Sequence, residues 1–478
     1  MATPDFEIKL SEFQQGLSYL YHLDEYTFIG DKGQASEMKN VDVISKPGVL
    51  KQGPGLSTLT NGNDSGVVDE LIEFIMDRSV NGGETYGMGE SKLFKINPGE
   101  VVDNSDFPRS ISDCEEGESV IEMNGNLFYF YNKSSEGDIG VYDSFSSFDD
   151  DWGSTTDKAL EKAPHPAATK EDILVFGNGR YLGVYIEGLG TLDTQKLDFG
   201  PSAEVADVVF SSNSWYIAVN RGESGDNRNL SQVYMYDGSA ISNLLTDEAG
   251  LGYEKIGFLY VRNGVVWTAF NDLSSDGYAV GYVSGRKIEP VRFFKGDLPT
   301  YKDKSLYKNT IIFNSDGSIY SAAAPVPELS SQLSNHASGK YDELGGVAVP
   351  FGTPLIASTD GSNYDISEFS DYTTDAEWKS ISSMVTNYHK RGQPDKIIVY
   401  TEPLHKDASC EVRIVGDCGE KKSSWEEVSG ENKIRHEISV SMEENHLSDL
   451  RVEVRWNNGD TSEDCPVRNI TVLGHYVS

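Results

Sequence analysis

The chain is 478 residues long, 38% hydrophobic and 11% aromatic, with a formal charge of −36 at pH 7. That length exceeds one ordinary core and sets an expectation of two or three domains. A surface this acidic repels nucleic-acid backbone and anionic lipid, which disfavours binding along either.

Residues 1–66 come first. Met1 to Glu7 shows neither a basic n-region nor an apolar h-region, so no signal peptide is expected. The segment is rich in Asp, Lys, Gly and Ser and carries a turn-laden stretch at 42–50. It is expected as an extended N-terminal arm, or as a strand lent to a neighbour.

Residues 67–385 repeat a grammar without repeating letters. Each unit is an apolar run, a short turn of Asn, Asp, Ser or Gly, and a second apolar run. The turns fall at Asn124-Gly125, Gly177-Asn178-Gly179, Ser212-Asn213, Asn263-Gly264 and Asp316-Gly317. Such dipeptides between apolar runs signal hairpins, because both central residues must reach positive φ. Fainter copies flank these, at 71–76 with 91–96 and at 347–349 with 355–358. More polar pairs follow some of them, at 233–238 with 241–245 and at 278–283 with 288–291. Turn-to-turn spacings overlap the roughly 40–50 residues of propeller blades. Hairpins apolar along both strands need burial on both faces, which blade-on-blade packing supplies. The expectation is a β-propeller of about seven blades, with the hairpins equivalent between blades. The competing reading is two consecutive β-sandwiches.

Residues 386–478 change style. The runs 396–400, 410–415, 434–440, 450–456 and 469–473 alternate apolar with polar. Period-two alternation means strands with one buried face, hence a small antiparallel sandwich. Val412, Ile414, Val452 and Val454 hold its inward phase. Residues 370–389, with Trp378, hold either a helix or a bridge between domains. The fold class is therefore all-β.

Motifs for chemistry are few. The sequence has no G-x-S-x-G, H-E-x-x-H, P-loop or C-x-x-C. His22, His165, His336, His389, His405, His436, His446 and His475 are scattered and expected at surfaces or boundaries. Cys114, Cys410, Cys418 and Cys465 are too few for a disulfide framework and are expected free, with a Cys410–Cys418 pair as the alternative. Asp149-Asp150-Asp151 offers oxygen ligands for Ca²⁺, against a solvated loop. Residues 358–364 faintly resemble a sialidase Asp-box, Asn314-Ser315-Asp316-Gly317 more faintly still, and turn chemistry explains both. Tyr185, Tyr236 and Trp267 read as packing rather than sugar platforms. No catalytic, cofactor-binding or metal residue is assigned.

The two chain ends carry a resemblance. The stretch Asp42-Val43-Ile44-Ser45-Lys46-Pro47-Gly48-Val49-Leu50-Lys51-Gln52-Gly53-Pro54-Gly55-Leu56 resembles the leader before the propeller in virion proteins of tailed bacteriophages. Trp378-Lys379-Ser380, Lys390-Arg391 and Lys396-Ile397-Ile398-Val399-Tyr400 are similar to the opening of their terminal sandwich. The resemblance is one of organisation more than of letters. It implies a non-enzymatic tail or neck component of the nozzle type, a cyclic homo-oligomer bound to other virion proteins. DNA would pass it without specific binding, and assembly would take place in the host bacterial cytoplasm. The alternatives are a propeller that binds a glycan or host receptor and a sialidase-like hydrolase. The charge fits a protein present in many copies, or equally adaptation to a salty environment. No run reaches 18 apolar residues, so no membrane span is expected.

Overall fold

The computed structural model describes residues 4, 6–11, 35–39, 41–42, 49–63, 66–155, 160–222, 231–243, 253–272, 277–294, 296–308, 310–315, 317–322, 331–335, 343–372, 376–380, 383–387, 390–440, 442, 446–456 and 463–477. Among these there is no α-helix, and no helix long and apolar enough to cross a membrane. The chain forms two compact units. One comprises Ser57–Gly317 and His336–Glu368; the other comprises Met1–Leu56, Ser318–Asn335 and Phe369–Ser478.

The first unit is a succession of antiparallel meander sheets, the architecture of a β-propeller. Ile72–Ile75, Thr85–Gly89, Lys92–Asn97 and Arg109–Ser110 form the first sheet, with Glu100–Val101 added to it. Glu116–Met123, Asn126–Asn132, Gly137–Asp143 and Ser147–Asp149 form the next. Ala167–Lys170 opens the third sheet, Ala203–Ser211 the fourth and Tyr253–Arg262 the fifth, each continued by three further strands.

Both faces of these strands are buried, as their continuous apolar runs require. In Asn126–Asn132, Leu127, Tyr129 and Tyr131 pack with Tyr86 and Met88 of the preceding sheet. Phe128 and Phe130, one residue out of phase, pack with Leu174 and Phe176 of the following one. Close cross-strand packing demands glycine at two positions. Gly140 lies opposite Tyr129 and Gly183 opposite Phe176, and a Cβ at either would strike the ring.

The ring of sheets returns on itself. Phe313 meets Phe258, Tyr278 and Phe294, and Asn314 donates to the carbonyls of Leu344 and Gly345. Leu355 and Ile366 then share a core with Ile72 and Phe94 of the first sheet. A backbone clasp joins the same two sheets. The Leu59 N–H donates to Ile366 O, and the Val101 N–H donates to Thr60 O, each at 2.9 Å.

The turns differ in rank. Asn124-Gly125 and Asn263-Gly264 join first to second strands, and all four residues have positive φ. Gly179 instead joins second to third strands, and Asn178 before it stays extended. The expected equivalence of the hairpins therefore fails, although these three occupy separate sheets. Turn chemistry marks a reversal of the chain, and every meander sheet has several. Asp316 lies outside the described residues.

The second unit contains a two-sheet sandwich. One sheet orders Phe6–Leu10, Val467–Val477, Lys390–Thr401 and Thr386–Asn387, with Arg435–Ser439 also on Lys390–Thr401. The other orders Ala35–Lys39, Ala376–Ser380, Asp449–Trp456, Ser409–Gly416 and Lys421–Lys422. Val412, Ile414, Val452 and Val454 are all fully buried in the shared core, as their strand phase predicts.

Three expectations need correction here. Residues 1–66 are not wholly an arm: Phe6–Leu10 pairs with Val467–Val477, and Ala35–Lys39 pairs with Ala376–Ser380. Pairing of distant segments leaves no local periodicity to read. The described residues among 376–387 hold short strands and no helix, and Trp378 is a fully buried core residue. The sandwich sheet thus begins before residue 386, at Ala376.

Candidate functional site

The first strands of five successive sheets line the propeller hub. Ile75, Met76, Val120, Ile121, Ala167, Ala168, Val208, Val209 and Val261 wall a cavity of about 470 Å³. The segment 301–304 supplies Tyr301, Lys302 and Lys304 to the same wall. A cavity of this size is within the range of small-molecule sites.

Charged side chains converge on this apolar wall, where each needs a partner. Lys304 pairs with Asp207 and donates to Leu259 O. Asp207 also accepts the N–H groups of Val208 and Leu259, at 2.8 and 2.6 Å. Burial pulls the Lys304 ammonium down and pushes the Asp207 carboxyl up, while their attraction opposes both. Lys302 meets Glu73 at 2.7 Å and Glu118 at 3.5 Å, and donates to Gly117 O.

Glu118 is 2% exposed, accepts from Tyr301 and receives Asn132 Nδ2 at 2.8 Å. Its burial outweighs the pull of Lys302 and raises its carboxyl to about 7. Asp77 accepts from Ser305, from Val349 N at 3.0 Å and from Tyr260 at 3.2 Å. Burial raises it as well.

None of these hub residues was singled out from the sequence. The available signal was a lone acid inside an apolar strand, as in Val205-Ala206-Asp207-Val208-Val209. Lys302, Asp303 and Lys304 read locally as an ordinary solvated turn.

The residues that were singled out go elsewhere. Asp150 is held by Arg109 and Tyr129, and Asp151 by Lys133. Arg109 and Lys133 thus engage two carboxylates of that acidic run. Among the described residues no group of three or more His, Cys, Asp or Glu is gathered to hold a metal. Asp360 caps its own hairpin turn, accepting the N–H groups of Ser362 and Asn363.

Tyr185 packs on Phe128 and Trp152, and Trp267 on Tyr282; Trp267 and Tyr236 are buried. Cys114, Cys410 and Cys465 are free thiols; the side chain of Cys418 lies outside the described residues. His165 and His436 are buried, against the expectation of surface histidines. His165 faces the Gly177 carbonyl at 2.8 Å, and burial lowers it to about 4. Its backbone partner satisfies a ring nitrogen that a sequence shows only as a scattered polar residue.

The class of the protein is an all-β molecule built on a β-propeller with a charged hub. No family model matches the chain, and no curated protein matches it. Among solved structures it is similar to the extracellular domain of a hybrid two component system from B. thetaiotaomicron, at 12% identity and a TM-score of 0.44. That match covers 81% of this chain and 47% of the other, so the chain spans about half its length. The AfRom2 CNH domain is similar at 13% identity and TM-score 0.42, over 68% of this chain and 100% of that domain. The Pan2 WD40 domain of Neurospora crassa is similar at 9% and 0.40, over 67% and 98%.

Proposed function

We propose that the protein is a catalytically silent structural component of an assembled particle, a ring in the tail or neck of a tailed phage. The observation that carries the reading is the hub. Its lysines are fixed between carboxylates as internal braces, Lys304 on Asp207 and Lys302 on Glu73 and Glu118. A lysine so held is neither a free nucleophile nor a ready base.

The phage setting rests on the resemblance of the two chain ends at 42–56 and 378–400. In this reading the propeller counts seven blades, and copies of the chain form a cyclic homo-oligomer held by other tail or neck proteins. The charge of −36 keeps passing DNA from adhering.

Mass spectrometry of purified virions, with negative-stain images of the isolated protein, tests the proposal. Ring-shaped particles and a fixed copy number in the virion are expected. Hydrolysis of a glycan panel by the isolated chain, abolished by one carboxylate substitution, would overturn it.

A further inference from the structure

Two thiols meet in the core of the sandwich. Cys410 lies in Ser409–Gly416 of one sheet, and Cys465 stands just before Val467–Val477 of the other. They are 1% and 0% exposed, belong to one hydrophobic core, and are joined thiol to thiol by a hydrogen bond. Both are free.

The backbone around Cys465 is pinned residue by residue. Asp464 Oδ1 accepts from Gln52 N at 3.3 Å, Cys465 O from Trp456 Nε1 at 3.1 Å, and Pro466 O from Glu402 N at 3.0 Å. Cys410 is fixed in turn by strand pairing, opposite Val428. The contact is therefore built into the fold. The same geometry disposes of the Cys410–Cys418 pair that the sequence left open. Cys410 and Gly416 stand near opposite ends of one extended strand, about 20 Å apart, and Cys418 lies beyond the far end.

We propose that Cys410 and Cys465 are a redox-controlled staple, forming a disulfide that ties the two sheets together when the chain meets an oxidising low-molecular-weight disulfide. One cysteine thiolate attacks the small disulfide, giving a mixed disulfide and expelling one small thiolate. The second cysteine thiolate attacks the protein sulfur of that mixed disulfide and expels the other. Two protein S–H bonds are lost and one S–S bond is gained. The small disulfide is reduced to two thiols, which take up the two protons. The hydrogen bond to Cys465 and burial hold the Cys410 thiol well up from its ordinary value. Attack therefore runs through brief openings of the core. A reducing compartment keeps the pair as thiols. The bond closes a loop of about 55 residues, and such a cross-link stabilises chiefly by restricting the unfolded chain.

The test incubates the full chain with oxidised glutathione in excess until the products no longer change. The chain is then alkylated, digested without reduction and read by mass spectrometry. A peptide linking Cys410 to Cys465 is expected as the main cross-link. The oxidised protein is expected to melt about 5 °C or more above the reduced one, a gain that dithiothreitol reverses. Cys465→Ala is expected to abolish both. If that variant melts early when reduced, the linked peptide and the dithiothreitol response of the unaltered protein decide the case. Absence of the Cys410–Cys465 link, links of either residue to Cys418 or Cys114 instead, or equal melting of oxidised and reduced protein would overturn the proposal. The staple concerns the sandwich alone, so neither outcome touches the virion reading.

Discussion

Substituting Glu118 with Gln should make the propeller less sensitive to rising pH. The folded carboxyl titrates at about 7 against an ordinary value of 4.5, so the folded chain holds a proton that the unfolded chain releases. Stability from this group is complete below about 4.5 and is lost as pH rises through about 7. Ionising the buried carboxyl costs the folded state roughly 3 kcal/mol at pH 8. Glu118→Gln removes that cost and keeps an acceptor for Tyr301, while Lys302 keeps Glu73.

Urea unfolding of both proteins from pH 4.5 to 8, followed by tryptophan fluorescence, measures the difference. His165, lowered to about 4, opposes the trend in the parent, because its stabilising neutral form is lost as pH falls from about 6.5. It titrates in both proteins and cancels in the comparison. The variant is expected to gain about 3 kcal/mol on the parent between the ends of the range. Parallel pH profiles would refute the assignment of a buried, late-ionising carboxyl at the hub.

Lys304→Met leaves Asp207 buried without its cation and should lower unfolding stability by about 3–5 kcal/mol. Adding Asp207→Leu should restore most of it, and denaturant titration of the three variants reads the cycle. Gly183→Val sets a branched side chain against the Phe176 ring and should cost about 1–3 kcal/mol, read as a lower melting temperature. A fragment of residues 386–478 lacks Phe6–Leu10 and Ala376–Ser380 and should fail to melt cooperatively in calorimetry. Linking 376–478 to the first 56 residues should restore a cooperative transition.

The propeller was legible because its signals are local. Apolar runs such as Phe128 to Tyr131 and turns such as Asn263-Gly264 declare paired strands within one short stretch of chain. Unbroken hydrophobicity also declared burial on both faces, which the division of Phe128 and Phe130 from Tyr129 and Tyr131 realises. The woven chain ends were not legible, for the same physical reason reversed. Phe6–Leu10 has no pattern that names Val467–Val477 as its partner, since backbone pairing is indifferent to sequence distance. Trp378, in its short run of charged and small neighbours, looked like linker until a facing sheet enclosed it.

The hub was the hardest part to read, because its chemistry exists only in three dimensions. Glu118 comes from one sheet and Asp207 from another, with Lys302 and Lys304 about a hundred residues beyond Asp207. Each alone is an ordinary charged residue in a chain with 76 acids. Their meeting follows from topology, since a propeller brings the first strand of every sheet to one axis. Isolated charges on such strands must then find one another or remain unpaired at high cost. An acid inside an apolar first strand is thus the sequence mark of a hub group, and Asp207 between Ala206 and Val208 carries it. Asp77, following Ile75-Met76 at a strand end, carries it less plainly.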